Sequence, residues 1–248
     1  DLRFKQKSYK EGYKILQNNN ASPNMLLDYA KDLATINEYM MSEKVLTDII
    51  NSNIDGKIVT QAVFEIAKLF EAKMIIRSLD LPLSGFYPHN PFFSSPYLPI
   101  QEKASISLES AMAIYDSLRI SKKNSQAAYR LAEVQFRILG DLDGAYHLYQ
   151  EAYKHGNSQS LRQDAGMGMI NIHIAKGDLK VAKNICNNLQ KENPNVLQYS
   201  IKESQILFYE GKFDDTDNKL RTTIENVAKN HPIYNDVLDV LAILIGFR

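Results

Sequence analysis

The sequence predicts an all-α fold, a right-handed superhelical solenoid of antiparallel helix pairs. One observation is that apolar residues recur at spacings of three and four almost throughout, while alternating patterns are scarce. Another is a signature that returns in weaker form around Gly177 and Gly211, 37 and 34 residues after the preceding glycine. Repeats of that period belong to helical arrays rather than to a single closed core. The signature reads Tyr129-x6-Phe136-x3-Gly140-x4-Ala145-x3-Tyr149-x2-Ala152.

The N-terminal helices are separated by short polar breaks. Three asparagines at 18–20 end the first helix, and Asp55-Gly56 precedes the fourth. Residues 28–53 have the pattern of one helical hairpin, and residues 57–120 that of a second whose turn is replaced by an insertion. Twelve helices are expected in all, near residues 3–18, 24–40, 43–53, 56–79, 101–120, 124–139, 141–155, 158–176, 178–191, 194–210, 213–229 and 232–246.

Glycine–aspartate pairs separate the helices of the C-terminal half. Gly140-Asp141 and Gly177-Asp178 suit a glycine that ends one helix and an acidic cap that begins the next. Such short turns join antiparallel neighbours. We therefore expect a single repeat domain over residues 1–248, with its best repeats at 124–157, 158–194 and 195–230 and a terminal helix at 232–246.

An insertion at residues 80–100 interrupts this rhythm. It holds five of the eight prolines of the chain, a density that excludes a helix. It is also rich in aromatic residues, which a flexible linker would lack. The insertion either packs on its own solenoid, or it forms a partner-binding lobe or a proline-rich ligand for another domain. Its candidate partner-binding residues are Phe86, Tyr87, Phe92, Phe93 and Tyr97.

Residues 129–152 resemble the tetratricopeptide repeat (TPR) family. That family has two aromatic residues in helix A, a glycine near the turn, and alanine, an aromatic residue and alanine along helix B. Glu133 departs from the pattern, because the family usually has a small residue there, and Gly166 stands where the second copy should have an aromatic. Residues 235–238 are similar to uncharacterised bacterial repeat proteins. The resemblance implies a scaffold that binds other proteins and has no enzymatic activity.

The resemblance also implies a concave groove, lined by helix A side chains, that receives peptides or partner helices. Some members of the family clamp a C-terminal carboxylate there, and only Asn171 and Lys202 fall on comparable positions. The basic residues are either solvated surface charges or part of a mildly basic groove for an acidic or carboxylate-bearing segment. The groove candidates are Arg130, Val134, Arg137, Asn171, Lys202, Gln205 and Phe208.

No pattern in the sequence predicts catalysis. The five histidines form no HExxH motif and have no cysteine at zinc-finger spacing. Neither a glycine-rich phosphate loop nor a GxSxG elbow occurs. We therefore predict no catalytic residue, no metal ligand and no cofactor.

Composition limits the partners and the compartment. Lysine plus arginine and aspartate plus glutamate both number 29, and this balance argues against nucleic acid or an anionic membrane as partner. No segment reaches the roughly 18 apolar residues that span a bilayer. Cys186, the only cysteine, is expected to be buried and inert. The chain lacks an initiator methionine and has the look of a mature or excised fragment, so cytoplasmic and periplasmic or secreted locations stay open.

Three functions from different classes fit these patterns. The first is a scaffold that holds a peptide or protein partner in the groove. The alternative is a structural or assembly component of a bacterial cell-envelope complex, acting through its ends and the 80–100 insertion. Apolar residues surround most of the last helix, which predicts self-association through exposed helical ends. The third is an enzyme or ligand-binding protein with its site under the insertion.

Overall fold

A computed structural model describes residues 2–52, 56–74, 90, 92, 97, 105–225 and 227–246. Within these ranges the chain forms twelve α-helices and no strand, which confirms the predicted fold class. None of the described helices is both long enough and apolar enough to cross a membrane. The helices are α1 (Leu2–Asn18), α2 (Pro23–Thr35), α3 (Tyr39–Asn51), α4 (Gly56–Met74), α5 (Ser105–Lys122), α6 (Ser125–Val134), α7 (Leu142–His155), α8 (Gln159–Ala175), α9 (Leu179–Glu192), α10 (Leu197–Tyr209), α11 (Phe213–Glu225) and α12 (Pro232–Ile245).

The helices group into two compact units. Unit 1 comprises residues 1–76 and 99–127, and unit 2 comprises residues 77–98 and 128–248. Most of the insertion therefore belongs to unit 2, although the chain on either side of it belongs to unit 1. The expectation of one repeat domain over residues 1–248 stays a prediction.

Three glycines end helices of unit 2 where the sequence predicts breaks. Gly140, Gly177 and Gly211 adopt φ angles of 70°, 77° and 74°, a left-handed conformation that glycine reaches without steric penalty. Asp141 then caps α7, accepting a hydrogen bond from the Gly144 amide at 3.0 Å. The equivalent Asp178 makes no side-chain cap bond to α9, so the acidic-cap prediction is confirmed at the first glycine only.

The turn between α2 and α3 differs from the prediction. The predicted helix 24–40 ends at Thr35, and α3 already begins at Tyr39. Asn37 takes the left-handed conformation with φ 66°, and the Glu38 amide donates to the Leu33 carbonyl at 2.9 Å. Asparagine tolerates this conformation better than most residues. The helix therefore ends without the glycine that marks the later turns.

In unit 1, α4 and α5 pack as a hairpin, as predicted for residues 57–120. The Tyr115 hydroxyl is fully buried and donates to Glu71 Oε2 at 3.0 Å. The Tyr115 ring lies 5.6 Å from the ring of Phe64. This pairing satisfies a buried carboxylate inside an apolar contact.

In unit 2, small residues allow neighbouring helices to approach closely. A methyl group at Gly168 of α8 would lie 2.5 Å from the ring of Tyr149 on α7, too close for any real contact. Cys186 on α9 is fully buried and donates from Sγ to the Tyr199 carbonyl at 3.3 Å. Burial raises the pKa of the Cys186 thiol to about 11, so it is protonated and inert, as predicted.

Ala145 tests the helix-pair packing, because it is fully buried in α7. Replacing it with leucine should overpack this contact and lower the free energy of unfolding by roughly 1–3 kcal/mol, measured by urea denaturation. Ala242→Leu, at an exposed position of α12, is the matched control and should change stability little. An Ala145→Leu protein as stable as the wild type would contradict the proposed repeat register.

Candidate functional site in unit 2

A pocket of about 780 Å³ lies in unit 2. It is lined by α6, by the π-helical turn Gln135–Leu139 that follows α6, by α8 and by α10, and Tyr97 of the insertion adds one further side chain. Each lining helix is the first helix of a predicted repeat. The pocket therefore lies on the helix A side, where the sequence places the groove.

Equivalent positions of successive repeats meet in this pocket. Arg137, Asn171 and Gln205 follow one another at intervals of 34 residues, the repeat period, and all three line it. Gly168 and Lys202 form a second such row. Four of the seven groove candidates are thus brought together, namely Arg137, Asn171, Lys202 and Gln205.

The other three groove candidates lie elsewhere. Val134 is 1% exposed and belongs to the core. Phe208 is half-buried, with its ring 6.4 Å from that of Phe92. Arg130 is half-buried and does not line the pocket. A helix side chain one position away from the groove already points into the helix pair, which explains the loss of Val134.

Glu133 organises one wall of the pocket. Its carboxylate accepts one hydrogen bond from the Tyr149 hydroxyl and another from Arg137 Nη1, the latter at 3.2 Å. Burial, followed by the negative charge of Glu133, raises the pKa of Tyr149 far above its ordinary value of 10.0. Arg137 is therefore neutralised within its own helix. The only sequence signal for this role is that Glu133 departs from the family pattern.

The π-helical turn places Phe136 and Arg137 at the same wall. It ends at Gly140, and the Asp141 amide donates to the Gln135 carbonyl at 2.9 Å. Such π segments are rare and occur often at functional sites, because they widen the helix and redirect its side chains. No sequence pattern predicted this turn.

The insertion is anchored on unit 2 at Phe92. This ring is 2% exposed and packs in a cluster with Leu220 and Leu241. The Phe92 carbonyl accepts hydrogen bonds from Gln205 Nε2 at 3.3 Å and from the Tyr209 hydroxyl at 3.0 Å. The insertion therefore packs on its own chain at this point, and Phe92 offers no surface to a partner.

Asn90 fixes the same segment from a second direction. Its side-chain amide donates to the Asp236 carbonyl at 2.8 Å, and its Oδ1 accepts from the Phe92 amide at 3.0 Å. Asn90 is 2% exposed, and both bonds satisfy polar groups that would otherwise be buried without a partner. The anchor is thus both apolar and hydrogen-bonded.

Tyr97 reaches the opposite wall of the pocket. Its ring lies 5.9 Å from that of Phe136 in an edge-on arrangement, and it is 46% exposed. Phe92 is held by α10 and Tyr97 by the π-helical turn, so the insertion crosses the groove within five residues. The other insertion candidates, Phe86, Tyr87 and Phe93, lie outside the described residues.

Solved structures with a similar fold are TPR proteins. A tetratricopeptide repeat protein from Parabacteroides merdae matches 90% of this chain and 73% of its own, with a TM-score of 0.59 and 12% identity. The thermophilic TPR protein TTC0263 of Thermus thermophilus matches 90% of this chain and 99% of its own, with a TM-score of 0.53 and 10% identity. The chain has a tetratricopeptide-type repeat fold.

A third similar structure is YrrB, described as a TPR protein with an unusual peptide-binding site. It matches 92% of this chain and 95% of its own, with a TM-score of 0.51 and 12% identity. No protein-family model matches the sequence, and no curated protein sequence does. At these identities the likeness to the TPR proteins is a likeness of fold.

Two oppositely charged side chains of the TPR groove have no ionic partner among the described residues. Lys202 Nζ donates to the neutral Gln205 Oε1 at 2.6 Å, with no carboxylate within ion-pair distance. Desolvation lowers the pKa of Lys202 from 10.5 to about 8. Asp164 has only the hydroxyl of Ser160 at 3.5 Å, and desolvation raises its pKa. Each is a charge that burial disfavours and a ligand could satisfy.

The pocket is consequently balanced in charge rather than basic. Glu133 and Asp164 line it together with Arg137 and Lys202. The mildly basic groove considered from the sequence overlooked these two carboxylates, which do not belong to the groove residues known from the family resemblance. Within the described ranges, no three histidine, cysteine, aspartate or glutamate side chains gather in a way that could hold a metal ion.

Lys202 makes stability depend on pH. Its folded-state pKa of about 8 lies below 10.5, so between these values the unfolded chain binds more protons and stability rises with pH. Lys202→Met should raise the free energy of unfolding by roughly 1–3 kcal/mol at pH 7 and by less at pH 10. Urea denaturation at both pH values measures this. Lys180→Met, at an exposed position of α9, is the control, and a Lys202→Met protein no more stable than wild type at pH 7 would contradict the buried ammonium.

Proposed function

We propose that this protein is a non-enzymatic interaction scaffold and that the groove of unit 2 binds a peptide segment of a protein partner. The TPR fold supports this, since YrrB, with the same fold, is described as having a peptide-binding site. The pocket of about 780 Å³ also lies within the range of about 300–1,000 Å³ found for ligand sites. Its walls combine aromatic rings with a few polar groups, the composition such sites have.

One observation carries the proposal: the groove already holds an extended stretch of its own chain. Gln205 and Tyr209 both donate to the main-chain carbonyl of Phe92. Side chains that bind a main-chain carbonyl recognise any peptide rather than a particular sequence. The same kind of polar group continues along the pocket at Asn171, which the insertion leaves in place to meet a partner.

The unpaired ammonium indicates what such a segment should bring. Lys202 lies in a desolvated position and has only a neutral amide as partner. A carboxylate placed there would form a charge-assisted hydrogen bond, which is about twice as strong as a neutral one. The exposed ring of Tyr97 offers apolar contact at the opposite wall. The preferred partner segment therefore combines an acidic group with an apolar side chain.

A selection from a random twelve-residue peptide display library tests this proposal. Peptides enriched on the wild-type protein should carry a carboxylate, and Lys202→Met should weaken their binding about tenfold or more in fluorescence anisotropy. Lys180→Met should leave it unchanged. Failure to enrich any peptide, or equal binding to the Lys202→Met protein, would overturn the proposal.

The assembly function remains a second candidate because α12 carries an exposed apolar face. Leu238 is 43% exposed and Ile245 is 67% exposed, and the small Ala242 lies between them on the same face. Residues four and seven positions apart lie on one side of a helix. This stripe supports self-association through α12, as proposed from the sequence.

Light scattering after size-exclusion chromatography tests self-association. The wild-type protein should form a dimer at micromolar concentration, and Leu238→Glu combined with Ile245→Glu should make it monomeric, because a buried unpaired charge is unfavourable. Val181→Glu, at an isolated exposed position of α9, should leave the dimer intact. A wild-type monomer at all concentrations would remove this candidate.

A further inference from the structure

The pocket of unit 2 contains two charges of opposite sign that do not meet each other. Asp164 on α8 and Lys202 on α10 both line it. Within the described parts of the chain, neither has an oppositely charged side chain at ion-pair distance. Charges that are partly withdrawn from water without a partner are unfavourable in the free protein. A ligand that carries both complementary charges would relieve both.

The separation of these two residues sets the length of that ligand. Lys202 follows Gly168 by one repeat of 34 residues, and Gly168 is four residues after Asp164, about 6 Å along the helix. The contacting helices α8 and α10 lie roughly 8–10 Å apart. The two backbones are thus roughly 10–12 Å from each other at these positions. An extended peptide of three residues spans about 10 Å.

The insertion limits what can occupy the space between them. It crosses the groove from Phe92 on α10 to Tyr97 at the π-helical turn. A long partner segment running through the groove would meet this crossing, whereas a short ligand with free ends would not. The pocket volume of about 780 Å³ corresponds to a ligand of small-molecule size.

The wall between the charges favours an apolar side chain. The rings of Tyr97 and Tyr209 line the pocket and are each 46% exposed, so they offer aromatic surface that nothing in the described chain covers fully. Tyr129 lines the same cavity from α6. Aromatic surfaces of this kind contact apolar and aromatic side chains favourably.

We propose that unit 2 is a receptor for short zwitterionic peptides of about two to three residues, with the free amino group at Asp164, the free carboxylate at Lys202 and an apolar side chain against the tyrosine rings. This inference rests on the proposed peptide-binding function and gives its ligand a length and two free ends. It adds recognition of an amino terminus, for which the carboxylate of Asp164 is the partner.

Isothermal titration calorimetry with one tripeptide in four forms tests the inference. The probe is alanyl-phenylalanyl-alanine with both ends free, acetylated at the amino end, amidated at the carboxyl end, or blocked at both. The free form should bind, and each single block should weaken binding about tenfold or more, because each removes one charge-assisted contact. The doubly blocked form should bind most weakly.

Paired variants assign each end to its residue. In Asp164→Asn the free and acetylated peptides should bind equally, and in Lys202→Met the free and amidated peptides should bind equally. Glu225→Gln and Lys180→Met, both at exposed positions outside the pocket, are the matched controls and should keep the wild-type preferences. Circular dichroism melting verifies that each variant is folded, and Lys202→Gln replaces Lys202→Met if the latter is not.

The outcomes separate this inference from the proposed function. Binding of the four forms with equal affinity, or no binding of the free tripeptide at millimolar concentration, would overturn the inference. If library-selected twelve-residue peptides still bind through Lys202, the proposed function stands without it. If the end preferences survive in both the Asp164→Asn and the Lys202→Met proteins, the termini are recognised elsewhere and the inference is wrong.

Discussion

The close packing of helix pairs is the constraint on which the rest of unit 2 depends. A single hairpin cannot bury its apolar face, so successive pairs must pack against one another. The fully buried alanines at 145, 152 and 182 and the glycine at 168, which leaves room for the Tyr149 ring, allow the backbones to come close enough. This packing repeats every 34 residues. Side chains one period apart therefore line up, and the groove follows from that alignment.

The insertion changes the groove into a pocket. Because the Phe92 ring is buried in the core and its carbonyl is held by two side chains of α10, the segment is part of the folded unit. Gln205, expected to meet a partner, meets the protein's own main chain instead. The features that set this protein apart from a plain repeat array thus lie where the insertion touches the repeats. The groove carries the general TPR chemistry, and the insertion selects what can enter it.

Much of the fold could be predicted from the sequence because its signals are local. Apolar spacings and the glycines at 140, 177 and 211 marked the helices and turns of unit 2. The turn at Asn37 escaped prediction because asparagine adopts a left-handed conformation less often than glycine, so it is a weaker signal. The groove register identified Arg137, Asn171, Lys202 and Gln205. It included Val134 wrongly on the pocket wall, since adjacent helix positions face different surroundings and one sequence does not fix the angle.

The sequence by itself determined the all-α class, the repeat period and the side of the helices that carries the groove, because these depend on contacts between residues close in the chain. Only the tertiary structure decided that the insertion forms part of that groove. The bonds that anchor it join residues 113 to 146 positions apart, and no periodicity reports a contact over such a distance. The same holds for Asp164 and Lys202. Each is an ordinary surface charge in the sequence, and only the packing of α8 beside α10 places both, unpaired, in one pocket.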